Sequence, residues 1–125
     1  NIAMARIMIA EDENSVRTLL VRAFAQDGHE VESAPDGAAA LDRLAKSAPF
    51  DLLLSDIQMP LMDGIALALA AKRDHPALTI LLMTGYTDQR ERAQSLRALI
   101  HDIVQKPFTV AEIRAAVAAA LAVRV

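Results

Sequence analysis

The sequence predicts an α/β domain: a five-stranded parallel sheet covered by helices on both faces. Three observations carry that prediction. Short apolar runs alternate with segments of helical periodicity, making five βα units. The central run Leu52-Leu53-Leu54 is apolar on consecutive positions, as a strand covered on both faces must be. The connections are short, so crossovers of the usual right hand stack the helices against the sheet.

Arg6 to Ala10 is the first strand, a compact apolar run. Ser15 to Gln26 carries Val16, Leu19, Leu20, Ala23 and Phe24 at i, i+3, i+4, i+7 and i+8 spacing. That stripe predicts a helix, with Asn14 placed to cap it and Gly28 closing it. Glu30 to Ala34 alternates like a half-exposed edge strand. Asp36 is placed to cap a second helix holding Ala39, Ala40, Leu41 and Leu44, terminated by Pro49. Asp51 to Ser55 is the third strand and stops at Asp56. Pro60 to Gly64 is a loop, Ile65 to Arg73 a third helix stopped before Pro76, and Leu78 to Met83 the fourth strand. Gln89 to Leu99 predicts a weaker helix with Asp88 and Glu91 at its start. Asp102 to Gln105 is a short fifth strand. Thr109 and Glu112 have the spacing of a capping box opening an alanine-rich last helix that ends near Val123. Packing against the sheet is the first reading of those alanines, ahead of a partner surface.

The chain of 125 residues is the size of one domain, read here as residues 5–123. Asn1-Ile2-Ala3 before Met4 reads as an expression-tag remnant. No apolar run approaches the roughly 20 residues of a membrane span, and no basic-then-apolar start marks a secretory signal. There is no cysteine, which excludes disulfides and thiol chemistry, and a cytoplasmic location is the default expectation. A net charge of −3 without a Lys/Arg cluster argues against direct nucleic-acid binding. Aromatics are confined to Phe24, Phe50, Tyr86 and Phe108, too few for a base-stacking platform.

Ligands of an open parallel sheet bind at the carboxyl ends of its strands, at the point where strand order reverses. The strands here end in Glu11-Asp12, Asp56, Thr84 and Lys106-Pro107. Converging carboxylates repel one another, and a hard divalent cation such as Mg²⁺ relieves that cost. Alone, Glu11 and Asp12 could equally face solvent; Asp56 and Lys106 turn the balance towards a site. Lys106 offers a point charge suited to phosphate, Thr84 a hydroxyl, and Gly85 room for close backbone approach. Pro60 and Gly64 bracket the loop after Asp56, where the backbone carbonyl of Gln58 could be an oxygen ligand. Met59 and Met62 read as packing. His29, His75 and His101 have no metal-ligand spacing, and His29 and His75 read as solvated loop residues.

Glu11-Asp12, Asp56 with Met59-Pro60-Leu61-Met62-Asp63-Gly64, Thr84-Gly85 and Lys106-Pro107-Phe108 together resemble the receiver domain of bacterial response regulators, the CheY-like family. The resemblance runs from Ala5 to about Val123. It implies a flavodoxin-like three-layer fold with strand order 2-1-3-4-5. It implies that Asp56 accepts a phosphoryl group from a histidine kinase or histidine phosphotransferase in a two-component phosphorelay. Asp12, Asp56 and the Gln58 carbonyl would hold Mg²⁺, with Glu11 acting through water, while Thr84 and Lys106 contact the phosphoryl oxygens. Such a domain is regulatory rather than an enzyme. It signals as a monomer or a phosphorylation-dependent dimer to a downstream protein effector, with neither nucleic acid nor membrane as a direct partner. The chain departs from the family at Ile103, where an aromatic switch is usual, and Tyr86 is a candidate substitute. Glu11 stands where aspartate is commoner. Ala10-Glu11-Asp12 and Met83-Thr84-Gly85-Tyr86 are similar to the stand-alone CpdR-type regulators, which would make a proteolysis adaptor or protease the effector.

Three other readings stay open at this point. An aspartyl phosphatase would usually place a second acid two residues after the nucleophile, where Gln58 stands. An FMN carrier would need a Ser/Thr/Gly-rich first loop in place of Glu11-Asp12-Glu13. A receiver-like module that is never phosphorylated would need no complete set of acid, Thr and Lys.

Overall fold

The structure, a computed structural model, describes residues 4–85 and 87–123. Five strands alternate with five helices: β1 (Arg6–Ala10), α1 (Asn14–Gln26), β2 (Glu30–Ala34), α2 (Gly37–Lys46), β3 (Leu52–Asp56), α3 (Gly64–Asp74), β4 (Thr79–Thr84), α4 (Thr87–Gln94), β5 (Asp102–Gln105) and α5 (Val110–Ala122). The strands form one parallel sheet in the order β2-β1-β3-β4-β5. The flavodoxin-like prediction therefore holds, including β2 at an edge.

Period-two alternation divides each central strand between two cores. Met8, Ala10, Leu53, Ile80 and Leu82 pack towards α2, α3 and α4, against Leu44, Leu67, Ala71 and Ala93, and against Leu96 just beyond α4. Ile7, Ile9, Leu52, Leu54, Leu81 and Met83 pack the other way, against Leu20 and Phe24 of α1 and Ile113 and Val117 of α5. This is why Leu52-Leu53-Leu54 has no polar member: each face of β3 meets a helix layer.

Helix ends follow local chemistry. Asp36 caps α2 by accepting from Ala39 N at 2.8 Å, and Thr109 and Glu112 form the predicted capping box on α5. Gly28 follows α1 with a φ of 90°, the left-handed conformation that glycine adopts at no steric cost. Several expectations need correction. Asn14 does not cap α1; it is the first helical residue, and Glu13 occupies the cap position without a side-chain cap bond. The Asn14 carboxamide is turned instead to Arg17. The fourth helix starts at Thr87 and stops at Gln94, five residues short of the expected Leu99. Beyond it, Leu96 N, Arg97 N and Leu99 N bond three residues back, and Ser95 Oγ takes the Arg92 carbonyl at 2.7 Å. Such tight turns are the usual continuation where a helix lacks a strong apolar stripe.

His29 is half-buried rather than solvated: its Nδ1 accepts from Ala5 N at 3.1 Å, tying the β2 edge to the start of β1. His75 is likewise half-buried, at the cap of α3, whereas His101 is exposed. On α5, Ala120 is buried, yet Ala111, Ala115, Ala118, Ala119 and Ala122 face outward, so sheet packing accounts for few of its alanines. The predicted switch residue Tyr86, the Asp88 side chain and the residues 1–3 read as a tag remnant lie outside the described residues.

Candidate functional site

β1 and β3 are neighbours at the point where the strand order reverses, so their carboxyl ends open on the crevice that this fold presents to ligands. Glu11 follows β1 and Asp56 ends β3. One carboxylate oxygen each from Glu11, Asp12 and Asp56 lies within 4.8 Å of the others. Glu11 is 1% exposed and Asp56 7%, while Asp12 is open to solvent. Lys106, just past β5, extends its Nζ to 2.9 Å from Asp56 Oδ2 and 3.1 Å from Glu11 Oε1. Four of the predicted residues thus meet at one point.

The electrostatics follow from that packing. Burial pushes the Glu11 carboxyl above its usual range, and the charge on Asp56 adds to the push; the Glu13 N–H and Lys106 oppose it without prevailing. Burial works against the Lys106 ammonium as well. Its hydrogen bond to Asp56 and the charges of Asp56 and Glu11 outweigh that penalty and hold its pKa above the usual lysine value. The lysine is therefore a firm cation lodged between two acids.

Three oxygen donors of this kind suit a small hard cation, since Mg²⁺ is bound through one or two carboxylates and keeps several waters. The donor set fits Mg²⁺. A cavity of about 660 Å³ opens over the site, walled by Asp12, Asp56, Gln58, Gly85 and Lys106 and rimmed by Leu19 and Phe108. Gln58 thus reaches the cavity wall. Thr84 is fully buried at the end of β4, and its carbonyl accepts from Lys106 N at 2.7 Å. It is Gly85 that reaches the cavity. A Cβ on Gly85 would meet nothing nearer than Lys106 Cβ at 4.0 Å, so close approach by a ligand remains open there. The Lys106–Pro107 peptide is cis.

The loop after Asp56 is held by contacts the sequence shows only in part. Gly64 donates to Ile57 O at 2.8 Å, and a Cβ there would sit 2.1 Å from Asp56 O. Gly64 is therefore required by close approach and not by its backbone angles. The left-handed position of this loop is Leu61, with a φ of 68° and 87% of the residue exposed. Ser55, which sequence reasoning passed over, donates its buried hydroxyl to Asp56 O at 2.8 Å. A hydroxyl next to the acid in an otherwise apolar strand was the available signal. Met59 and Met62 pack into the core as expected, and Ile103 joins the cluster that includes Ala93, Leu96 and Ile100.

An open parallel sheet with an acid cluster and a lysine at its switch point defines a class of α/β domains that handle small charged ligands at their strand ends. Comparison makes the class specific. Residues 7–118 match the family described as the response regulator receiver domain, and the chain belongs to that family. It is 41% identical over 105 residues to the response regulator receiver protein CpdR of Brucella abortus, covering 84% of this chain and 87% of that protein. It is 42% identical over 120 residues to the regulatory protein AtoC of Escherichia coli, covering 95% of this chain but 26% of that longer protein. Among solved structures it is similar to the response regulator TrrA from Thermotoga maritima in complex with Mg(2+)-BeF, with a TM-score of 0.83 and 28% identity over 94% of this chain and 99% of that one.

The chain is thus a receiver domain of two-component systems, a regulatory domain with the CheY-like fold. Receiver domains bind Mg²⁺ at an acidic pocket, and they work between phosphodonor kinases and downstream effectors. Among the described residues no helix is long and apolar enough to cross a membrane.

Proposed function

We propose that Asp56 accepts one phosphoryl group from a histidine kinase or histidine phosphotransferase, in a Mg²⁺-dependent step, and that the resulting ester changes which protein the domain contacts. The observation that carries this reading is the Lys106 ammonium, 2.9 Å from the Asp56 carboxylate beside two further acids. Asp12, Asp56 and the Gln58 carbonyl are the proposed metal ligands, with Glu11 acting through water. When bound, Mg²⁺ neutralises charge on the acids and on the incoming phosphoryl oxygens. Asp56 attacks phosphorus through one carboxylate oxygen. The new P–O bond forms as the P–N bond to the donor imidazole breaks, and the imidazole leaves with the electron pair and takes a proton from solvent. Positioning and charge neutralisation are the main demands of such a transfer, and no separate base is needed.

Lys106 and the Thr84 hydroxyl are proposed to hold the phosphoryl oxygens. Movement of Thr84 would then be sensed at Ile103, with Tyr86 the candidate switch residue in place of the usual aromatic. The domain assists its own phosphorylation and dephosphorylation and turns over no external substrate. The likeness to TrrA, solved with Mg(2+)-BeF, supports the metal. Resemblance to CpdR-type regulators favours a proteolysis adaptor or protease as the effector. Incubation with acetyl phosphate and Mg²⁺, followed by intact mass measurement, tests the reading. One added phosphoryl group is expected for the wild type and none for Asp56→Ala; an unchanged wild-type mass, under conditions that label another receiver, would overturn it.

A further inference from the structure

The turn that carries Glu11 and Asp12 from β1 into α1 is fastened in an unusual way. Its cap residue, Glu13, contributes no side-chain cap bond to the helix. Glu11 is held through both of its backbone polar groups instead. Its N–H donates to Ala34 O on β2 at 3.1 Å, and its carbonyl accepts from Arg17 Nη1 at 2.7 Å. Arg17 stands one turn into α1, with its N–H on Glu13 O at 2.9 Å, and its second amino group is bound by the Asn14 carboxamide. A half-buried planar fork therefore bridges the last residue before Asp12 and the first residue of the helix after it. Asp12 lies between those two anchors.

We propose that Arg17 is a positioning residue for the metal site: its guanidinium locks the Glu11–Glu13 turn so that the Asp12 carboxylate is presented to Mg²⁺ without a search through turn conformations. This rests on the proposed metal site. The alternative is that Arg17 acts by charge alone, and the two predict opposite signs. A fixed cation beside the acids disfavours a second cation, so removing its charge alone would tighten Mg²⁺ binding. Loss of the fork leaves the Glu11 carbonyl without this donor and loosens the turn, which is then held by Glu11 N on Ala34 O and by Glu13 N on Glu11 Oε2. Outer partners that orient a ligand typically carry about tenfold or more in metal affinity.

Titration calorimetry with Mg²⁺ on the wild type, Arg17→Gln and Arg17→Lys tests the proposal, at a temperature well below every variant's Tm in EDTA. Arg17→Gln should weaken binding about tenfold. Arg17→Lys keeps one donor without the fork and should fall between the two. Acetyl phosphate labelling of Arg17→Gln, at a temperature where the variant is already folded in EDTA, should recover as Mg²⁺ is raised to saturation. An unchanged or tighter Kd in Arg17→Gln overturns the proposal, whatever happens to Tm. If that variant does not fold, Arg17→Lys carries the test: weaker binding supports the positioning role, and unchanged or tighter binding overturns it. Absence of Mg²⁺ binding by the wild type would instead overturn the metal site on which the inference stands.

Discussion

Replacing Lys106 with methionine keeps much of the side-chain volume and deletes one charge. The ammonium lies 2.9 Å from Asp56 and 3.1 Å from Glu11, and its side chain is 26% exposed. Without it, carboxylates whose oxygens come within 4.8 Å repel by about 3.5 kcal/mol at an effective dielectric of about 20. Removing one partner of a buried pair typically costs about 3–5 kcal/mol, and the partial exposure of Lys106 places the loss at the lower end. Lys106→Met should therefore be about 3 kcal/mol less stable in EDTA, or about 10 °C lower in Tm for a domain of this size. Mg²⁺ should repair much of that loss. With no ammonium to displace, the variant should bind the metal about tenfold more tightly, worth about 1.4 kcal/mol. At a Mg²⁺ concentration saturating both proteins, the gap should then shrink to about half its size. Urea unfolding with and without Mg²⁺ reads both values. Equal stability in EDTA, or a gap that widens with Mg²⁺, would refute the picture of a lysine and a divalent cation serving the same acids.

Two further predictions concern the loop after Asp56. Asp63 caps α3 through Ala66 N at 2.9 Å and pairs with Arg92 at 3.1 Å. Burial opposes its charge, but the Ala66 N–H and Arg92 outweigh burial and hold its pKa below the ordinary value. A depressed carboxyl stabilises the fold above its unfolded pKa, near 3.9, and loses that contribution as pH falls through the folded value. Asp63→Asn keeps a capping oxygen, so it should cost about 0.5 kcal/mol at pH 7 and progressively less as pH falls below the unfolded value. A gap independent of pH in urea titrations would show that the charge is not involved. Leu61 adopts a left-handed φ of 68° with its side chain in solvent, so Leu61→Asn forfeits no packing. It should raise stability by up to about 1 kcal/mol, and a fall in Tm would contradict the strain.

The strand ends were readable because a parallel sheet leaves them no other place to point. Glu11, Asp56 and Lys106 come from three separate strands, yet the apolar run before each sets both its direction and its depth. Asp36 and Thr109 were legible from local pattern: Asp36 stands just ahead of the Ala39, Ala40, Leu41 and Leu44 stripe, and Thr109 has Glu112 three residues on. What escaped depended on contacts distant in the chain or on competition between neighbours. His29 meets Ala5 across 24 positions, which no local pattern encodes. Asn14 was a sound capping residue, but Arg17 drew its side chain away and the helix took Glu13 as its cap. The fourth helix stopped early because, among its described side chains, only Ala93 is buried, too little apolar surface to extend it. Gly64 was legible as one end of the loop, but the close approach of the Asp56 carbonyl that requires a glycine there was not.

Mapping the modified residue addresses the phosphoacceptor directly. After reaction with acetyl phosphate and Mg²⁺, borohydride reduction converts an aspartyl phosphate to homoserine, which peptide mass spectrometry locates. Homoserine at position 56, lost when EDTA replaces Mg²⁺, is the predicted result. Homoserine at position 12, label that persists in EDTA, or phosphate retained on a histidine would contradict it.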